Sequence, residues 1–90
     1  MKINLQCWWF GRLTINCEVE AKPENTINDL LVMYFNRVIK PVSTATAVET
    51  ALPKMALCGN NNFIYDKSKT LADYGAKEGQ AFTVLAGFSY

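Results

Sequence analysis

Apolar and polar residues alternate along the first twenty positions of the chain. Over residues 1–8, one face carries Ile3, Leu5 and Cys7, and the other carries Lys2, Asn4, Gln6 and Trp8. Over residues 12–20, the inward positions are Leu13, Ile15, Cys17 and Val19. A period of two with β-branched residues is typical of half-buried strands, and Gly11 between the runs indicates a hairpin turn. The pattern predicts a β-hairpin with one face on a core and one in water.

The next segment changes to a helical period. Thr26 is a suitable N-cap, and Asp29 three residues later approaches a capping box. The apolar stripe that follows consists of Ile27, Leu30, Leu31, Tyr34 and Val38. Lys40 precedes Pro41 and therefore avoids helical geometry, which ends the helix. We expect one main helix whose stripe packs on the inward face of the hairpin.

The remainder predicts short elements. The Ser/Thr/Ala-rich connector 42–53 has little bulk of its own, and we expect it to cover apolar residues outside the helical stripe, with a short helical turn between Val48 and Leu52. Short strands are expected at 54–58 and 63–65, a helical turn at 69–75 that ends at Gly75, and a final strand at 80–86. In that strand Thr83 and Leu85 point outward. The prediction is one α+β domain over residues 1–90.

Composition narrows the range of functions. The 90 residues are half apolar and carry a net charge of +1. We therefore do not expect a strongly basic surface of the kind that binds nucleic acid or an anionic membrane. No apolar run is long enough to span a membrane, and the strand pattern starts at Met1, so we expect a cytoplasmic or nuclear protein with protein partners. Histidine is absent, and Cys7, Cys17 and Cys58 lack metal-ligand spacing. We therefore expect no enzyme activity, no cofactor and no metal site.

Several short motifs follow one another in an order that resembles the ubiquitin-like (β-grasp) superfamily. They are Met1-Lys2-Ile3, Glu18-Val19-Glu20 followed by Thr26-Ile27, then Gly59, and Asp66 followed by Lys69-Thr70-Leu71-Ala72-Asp73-Tyr74. The resemblance implies a mixed sheet of four to five strands packed on one main helix. It also implies that the Tyr74 hydroxyl bonds to nearby backbone.

The carboxyl-terminal residues depart from that family. Its conjugated members end in a flexible tail with two glycines, whereas this chain reads Leu85-Ala86-Gly87-Phe88-Ser89-Tyr90. A single glycine one or two residues beyond the last strand has little reach, at about 3.5 Å per residue. We therefore expect no conjugation through the carboxyl terminus. The alternative is a modifier of the single-glycine class, joined to targets through Gly87 after removal of Phe88-Ser89-Tyr90.

The contact surface implied by the resemblance is also altered. The family's apolar patch on the open sheet face maps onto Trp8, approximately Ala56, and Leu85, with Thr83 in place of a histidine. Because the central isoleucine is missing, we do not expect receptors of the ubiquitin patch to bind. An aromatic run has appeared instead at Trp8-Trp9-Phe10.

The aromatic run is the best candidate site. Three adjacent aromatic residues in a turn cannot all point inward, and grouped exposed aromatics usually mark an interface. The alternative is that Phe10 and one tryptophan pack back over the sheet edge or under the connector. The predicted partner-binding residues are Trp8, Trp9, Phe10, Thr83 and Leu85. They suggest a non-catalytic interaction domain, either a whole adaptor or the N-terminal module of a larger scaffold or cytoskeletal protein.

Overall fold

The computed structural model describes residues 1–42, 46–59 and 63–86, and the backbone alone at Trp9. Within these residues the chain forms four strands, β1 (Lys2–Trp9), β2 (Arg12–Glu20), β3 (Met55–Cys58) and β4 (Ala81–Ala86). Two short α-helices, α1 (Ile27–Tyr34) and α2 (Val48–Ala51), lie between β2 and β3. The fold is therefore α+β, as the residue patterns predicted.

The four strands form one mixed sheet in the order β2-β1-β4-β3. β1 pairs with β2 antiparallel and with β4 parallel, and β3 pairs with β4 antiparallel. The first and last strands therefore occupy the centre of the sheet. The expected strand at 63–65 reduces to an isolated bridge between Cys58 and Ile64.

The capping box predicted at the start of the helix is present. The Asp29 N–H donates to Thr26 Oγ1 over 3.1 Å, and the Thr26 N–H donates to Asp29 Oδ2 over 2.9 Å. These bonds satisfy two of the donors that the first turn leaves without intrahelical partners. They explain why the helix begins directly after Thr26.

One continuous main helix is not what the structure contains. After Tyr34 the helix widens into a π-helical segment, Phe35–Ile39, in which the Lys40 N–H donates to the Phe35 carbonyl. The wider turn brings Phe35 and Ile39 into the core, although the stripe with a period of 3.6 had excluded them. The predicted main helix is thus a short α-helix followed by a π-helical segment, whereas α2 corresponds to the short helical turn expected between Val48 and Leu52.

The core lies between the inner sheet face and the helices. Its fully buried side chains include Ile3, Leu5, Leu30, Leu31 and Phe82, and Val48 and Leu52 of the connector region pack against it. This packing agrees with the predicted cover over the helix. The described part of the connector thus adds apolar side chains to the core, beyond those that the sheet provides.

A group of aromatic side chains closes the end of the sheet near β3. The Asp66 N–H donates to the Tyr74 hydroxyl over 2.8 Å, which is the backbone bond that the resemblance implied. The Tyr65 ring packs edge-on against Tyr74 and Phe82, with centroid separations of 4.8 and 5.0 Å. A Cβ atom at Gly59 would lie 2.7 Å from the Tyr65 hydroxyl oxygen. A side chain at position 59 would therefore displace the Tyr65 ring.

Candidate functional site: the outer sheet face

The sheet face that points away from the helices is organised in rows across the strands. Gln6 pairs with Asn16 and with Thr83, and Thr83 pairs with Cys58, which bridges to Ile64. Cross-strand partners share a face, so these residues form one row. All of them are uncharged.

A second row runs parallel to the first, nearer the hairpin tip. Trp8 pairs with Leu13, and Leu85 pairs with Ala56. The parallel register between Gln6 and Thr83, continued by two residues, brings Trp8 opposite Leu85. The sequence expectation that Trp8 and Leu85 share a face therefore agrees with the strand register.

Leu13 was predicted to point inward, and this prediction is wrong. The register between β1 and β2 shifts after Cys7, so that Cys7 pairs with Ile15 whereas Trp8 pairs with Leu13. Thr14 is the extra residue, and its Oγ1 donates to the Cys7 carbonyl over 2.9 Å. An extra residue in one strand reverses the alternation beyond it. Leu13 consequently joins the exposed side, at 45% exposure.

Four large apolar side chains of these rows are accessible. The exposed fractions are 46% for Trp8, 45% for Leu85, 45% for Leu13 and 52% for Ile64. Together with Ala56 these residues are called the outer patch below. Thr83 lies within it, half-buried, and the Trp8 indole N–H donates to Gln6 Oε1 over 3.3 Å. This bond orients the indole ring along the sheet.

The tip of the hairpin is a two-residue turn. Phe10 has φ +49° and Gly11 has φ +74°, the pair of positive values that characterises a type I′ turn. Phe10 is 90% exposed, so it does not pack back over the sheet edge. The backbone of Trp9 pairs with Arg12 at the base of the turn. Phe10 thus projects from the end of the sheet that carries Trp8.

Sequence reasoning missed two members of the outer patch. Leu13 depends on the register shift, for which a threonine between two apolar residues is only a weak sign. Ile64 depends on a bridge to Cys58 that joins separate parts of the chain. Gly87, the candidate conjugation residue, lies outside the described residues, as do Phe88-Ser89-Tyr90.

The three cysteines are free and differ in accessibility. Cys17 and Cys58 are buried, whereas Cys7 is partly accessible. Burial raises the pKa of the Cys17 thiol, against a smaller opposing effect of the nearby Arg37 guanidinium, and burial alone raises the pKa of Cys58. A raised pKa disfavours the reactive thiolate at neutral pH. Both thiols therefore behave as small apolar groups.

No protein family model matches the chain, and a search of curated proteins finds no match. Among the helices in the described part of the chain, none has the length and apolar character needed to cross a membrane.

Proposed function

We propose that this chain is a non-catalytic, ubiquitin-like β-grasp domain that binds another protein through the outer patch. The β-grasp assignment is supported by the central parallel pair β1 and β4 and by the Tyr74 hydroxyl bond to the Asp66 backbone. The domain would serve either as a whole adaptor or as the N-terminal module of a larger scaffold or cytoskeletal protein.

The observation that carries this proposal is the composition of the outer patch. Leu13, Trp8 and Leu85 follow one another across three neighbouring strands, and Ile64 belongs to the adjacent row through its bridge to Cys58. Neither row of the face contains a charged residue. Exposed apolar groups that adjoin in this way are typical of interfaces, whereas scattered ones are not.

Trp8 is the expected energetic centre of the contact. Tryptophan is enriched among interface hot spots, and truncating a hot spot typically costs about 2 kcal/mol or more of binding free energy. Since 1.4 kcal/mol corresponds to tenfold, Trp8→Ala is expected to weaken partner binding by about 30-fold or more. Because Trp8 lies outside the core cluster, the Trp8→Ala substitution should change the unfolding free energy of the domain by less than about 1 kcal/mol.

The proposal is tested by affinity capture from native lysate with the wild type and Trp8→Ala in parallel, followed by Kd measurement on the purified captured protein. Val42→Ala is the matched control, because Val42 is an exposed apolar residue outside the outer patch. Loss of a partner with Trp8→Ala but not with Val42→Ala supports the proposal. If Trp8→Ala unfolds the domain and leaves the captured proteins unchanged, Trp8 is a structural residue and the proposal is wrong.

Conjugation through Gly87 can be tested in the native cells from which the lysate is prepared, by comparing the wild type with Gly87→Ala. Covalent adducts of higher mass that disappear with Gly87→Ala would establish the modifier alternative. We expect the banding pattern of the protein to be unchanged by this substitution.

A further inference from the structure

The hairpin tip projects beyond the last row of the sheet. Trp9 and Arg12 form the final pair of the β1–β2 ladder, and Phe10 and Gly11 make the turn outside it. Among the described residues, Phe10 has the most exposed of the large apolar side chains, at 90%. The ring is therefore carried on a convex point, and not within the flat outer patch.

The backbone of the tip favours a different residue at this position. Phe10 has φ +49°, a left-handed value that is unusual for a bulky side chain. Asparagine or glycine is the ordinary choice at the first position of a type I′ turn. Residues strained in this way cluster where side chains contact a ligand, so the Phe10 ring is a candidate contact in its own right.

Two basic residues lie at this end of the sheet, one on each side of the tip. Arg12 pairs with Trp9 on the edge strand β2. Lys54 comes directly before β3, the opposite edge strand, whose first residue pairs with Ala86. The parallel register of β1 and β4 places Trp9 and Ala86 at the same level. Both basic residues are exposed, and three strand spacings put their positions about 14 Å apart.

Acidic residues are concentrated away from the tip. No Asp or Glu occurs in the three segments nearest to it, residues 5–17, 53–59 and 81–86. Glu18 and Glu20 lie at the other end of β2, and Glu78 lies just before β4 begins. The nearest acidic residue in sequence is Glu49 of α2, five positions before Lys54. The net charge of +1 therefore conceals an aromatic ring between two basic residues at one end of the sheet.

The shape and the charge of this end favour one kind of partner. A projecting ring needs a concave pocket in a protein, whereas a layer of lipid headgroups deforms around it. Aromatic side chains enter the boundary between headgroups and acyl chains, and the negative potential of anionic lipids attracts lysine and arginine near the surface. The tip of the hairpin meets both requirements.

We propose that the hairpin tip inserts the Phe10 ring into the headgroup layer of a membrane that contains anionic lipids, with Arg12 and Lys54 against the lipid anions. The strands then meet the membrane by one end, and the outer patch stays open on the side of the sheet. Even a single myristoyl chain binds membranes only marginally, so one ring and two cations give weak, reversible binding. The contact orients the domain on the membrane and does not anchor it alone.

The test uses the intact domain and vesicles of phosphatidylcholine with about one third phosphatidylserine, whose surface potential is negative. Partition coefficients are measured by co-sedimentation at low salt, and vesicles of phosphatidylcholine alone should bind about tenfold more weakly. A second series carries brominated acyl chains, which quench tryptophan at close approach. Because both tryptophans of the chain lie within two residues of Phe10, the bound domain should lose fluorescence in this series.

Variants of the ring separate insertion from folding. Phe10→Ala and Phe10→Asn should each lower the partition coefficient by about fivefold or more, because both remove the apolar group that enters the lipid. Asparagine suits the left-handed backbone better than phenylalanine, so loss of binding in that variant cannot come from unfolding. Val42→Ala is the matched control, since Val42 is also an exposed apolar residue, and it should bind as the wild type does.

Variants of charge test whether the position of the cations matters. Arg12→Glu with Lys54→Glu should weaken binding by about tenfold or more. Lys22→Glu with Lys77→Glu makes the same change in net charge at exposed residues away from the tip, and it should have less than about a twofold effect.

Three results would overturn the proposal. Equal losses in the two charge-reversed proteins would reduce the attraction to net charge, and unchanged binding of the Phe10 variants would show that the ring is not inserted. If the vesicles bind no wild-type domain and Phe10→Ala loses a captured protein, the tip belongs to a protein interface. The vesicle assay contains no partner protein, so its outcome is independent of the outer patch.

Discussion

Replacing Phe10 with asparagine is expected to stabilise the domain. Phe10 has φ +49°, and a residue with a Cβ atom in this left-handed region costs roughly 1–2 kcal/mol. Asparagine visits the region readily, and asparagine before glycine is the preferred pair in type I′ turns. Because the Phe10 ring is 90% exposed, little buried apolar area is lost. We therefore expect a gain of about 1 kcal/mol, or roughly 4–8 °C in Tm.

The assay is urea unfolding followed by tryptophan fluorescence, with Phe10→Ala as the matched control. Alanine removes the ring but keeps the Cβ atom that causes the strain, so its unfolding free energy should stay within about 0.5 kcal/mol of the wild type. The asparagine variant should unfold at a higher urea concentration with an unchanged slope. If the two variants are equally stable, or if asparagine destabilises, the turn does not carry the inferred cost. Equal loss of partner capture in both variants would show that the ring itself is a contact.

Three further predictions concern the core, the thiols and the carboxylates. Leu30→Ala should cost about 2–5 kcal/mol, since Leu30 is fully buried; a loss below about 1 kcal/mol in chemical denaturation would show that the helix packs by another face. At pH 8, iodoacetamide should modify Cys7 before Cys17 and Cys58, and peptide mass mapping that finds either buried thiol labelled first would contradict the assignment. Hydrogen bonds from the Thr70 backbone and hydroxyl lower the pKa of Asp73, so its stabilising effect is complete above the ordinary carboxyl pKa of 3.8 and is lost as pH falls through the lowered value. Asp73→Asn should therefore flatten the fall in Tm between about pH 4 and pH 2, and an unchanged slope would refute this origin.

Local patterns were sufficient for the elements whose determinants are near in sequence. The alternation around Leu5 and Cys17 predicted both hairpin strands, and the Thr26 and Asp29 side chains marked the helix start that the capping box confirms. Tyr74 bonds to nearby backbone as the resemblance implied. In each case the interacting residues are close in sequence or belong to one recurring motif.

The features that were missed depend on contacts between distant segments. The π-helical turn that buries Phe35 and Ile39 is favoured by the core it fills, not by its own residues. The exposure of Leu13 follows from a register shift, and the place of Ile64 follows from a bridge to β3. The position of β2 at one edge of the sheet became visible only with the strand order. The spacing of apolar residues within one segment does not indicate which distant segments will contact it.

The central pairing of β1 with β4 constrains the time course of folding. The contacts of Lys2 with Glu78 and of Asn4 with Gly79 join residues 76 and 75 positions apart. Contacts of such separation must close a long loop before they stabilise anything, which slows folding. During synthesis, the side of β1 that pairs with β4 stays unpaired until nearly the whole domain has emerged from the ribosome. A chain interrupted before β4 would leave the backbone groups of β1 unpaired and its apolar side chains uncovered. Such a chain is expected to aggregate under conditions in which the complete domain folds.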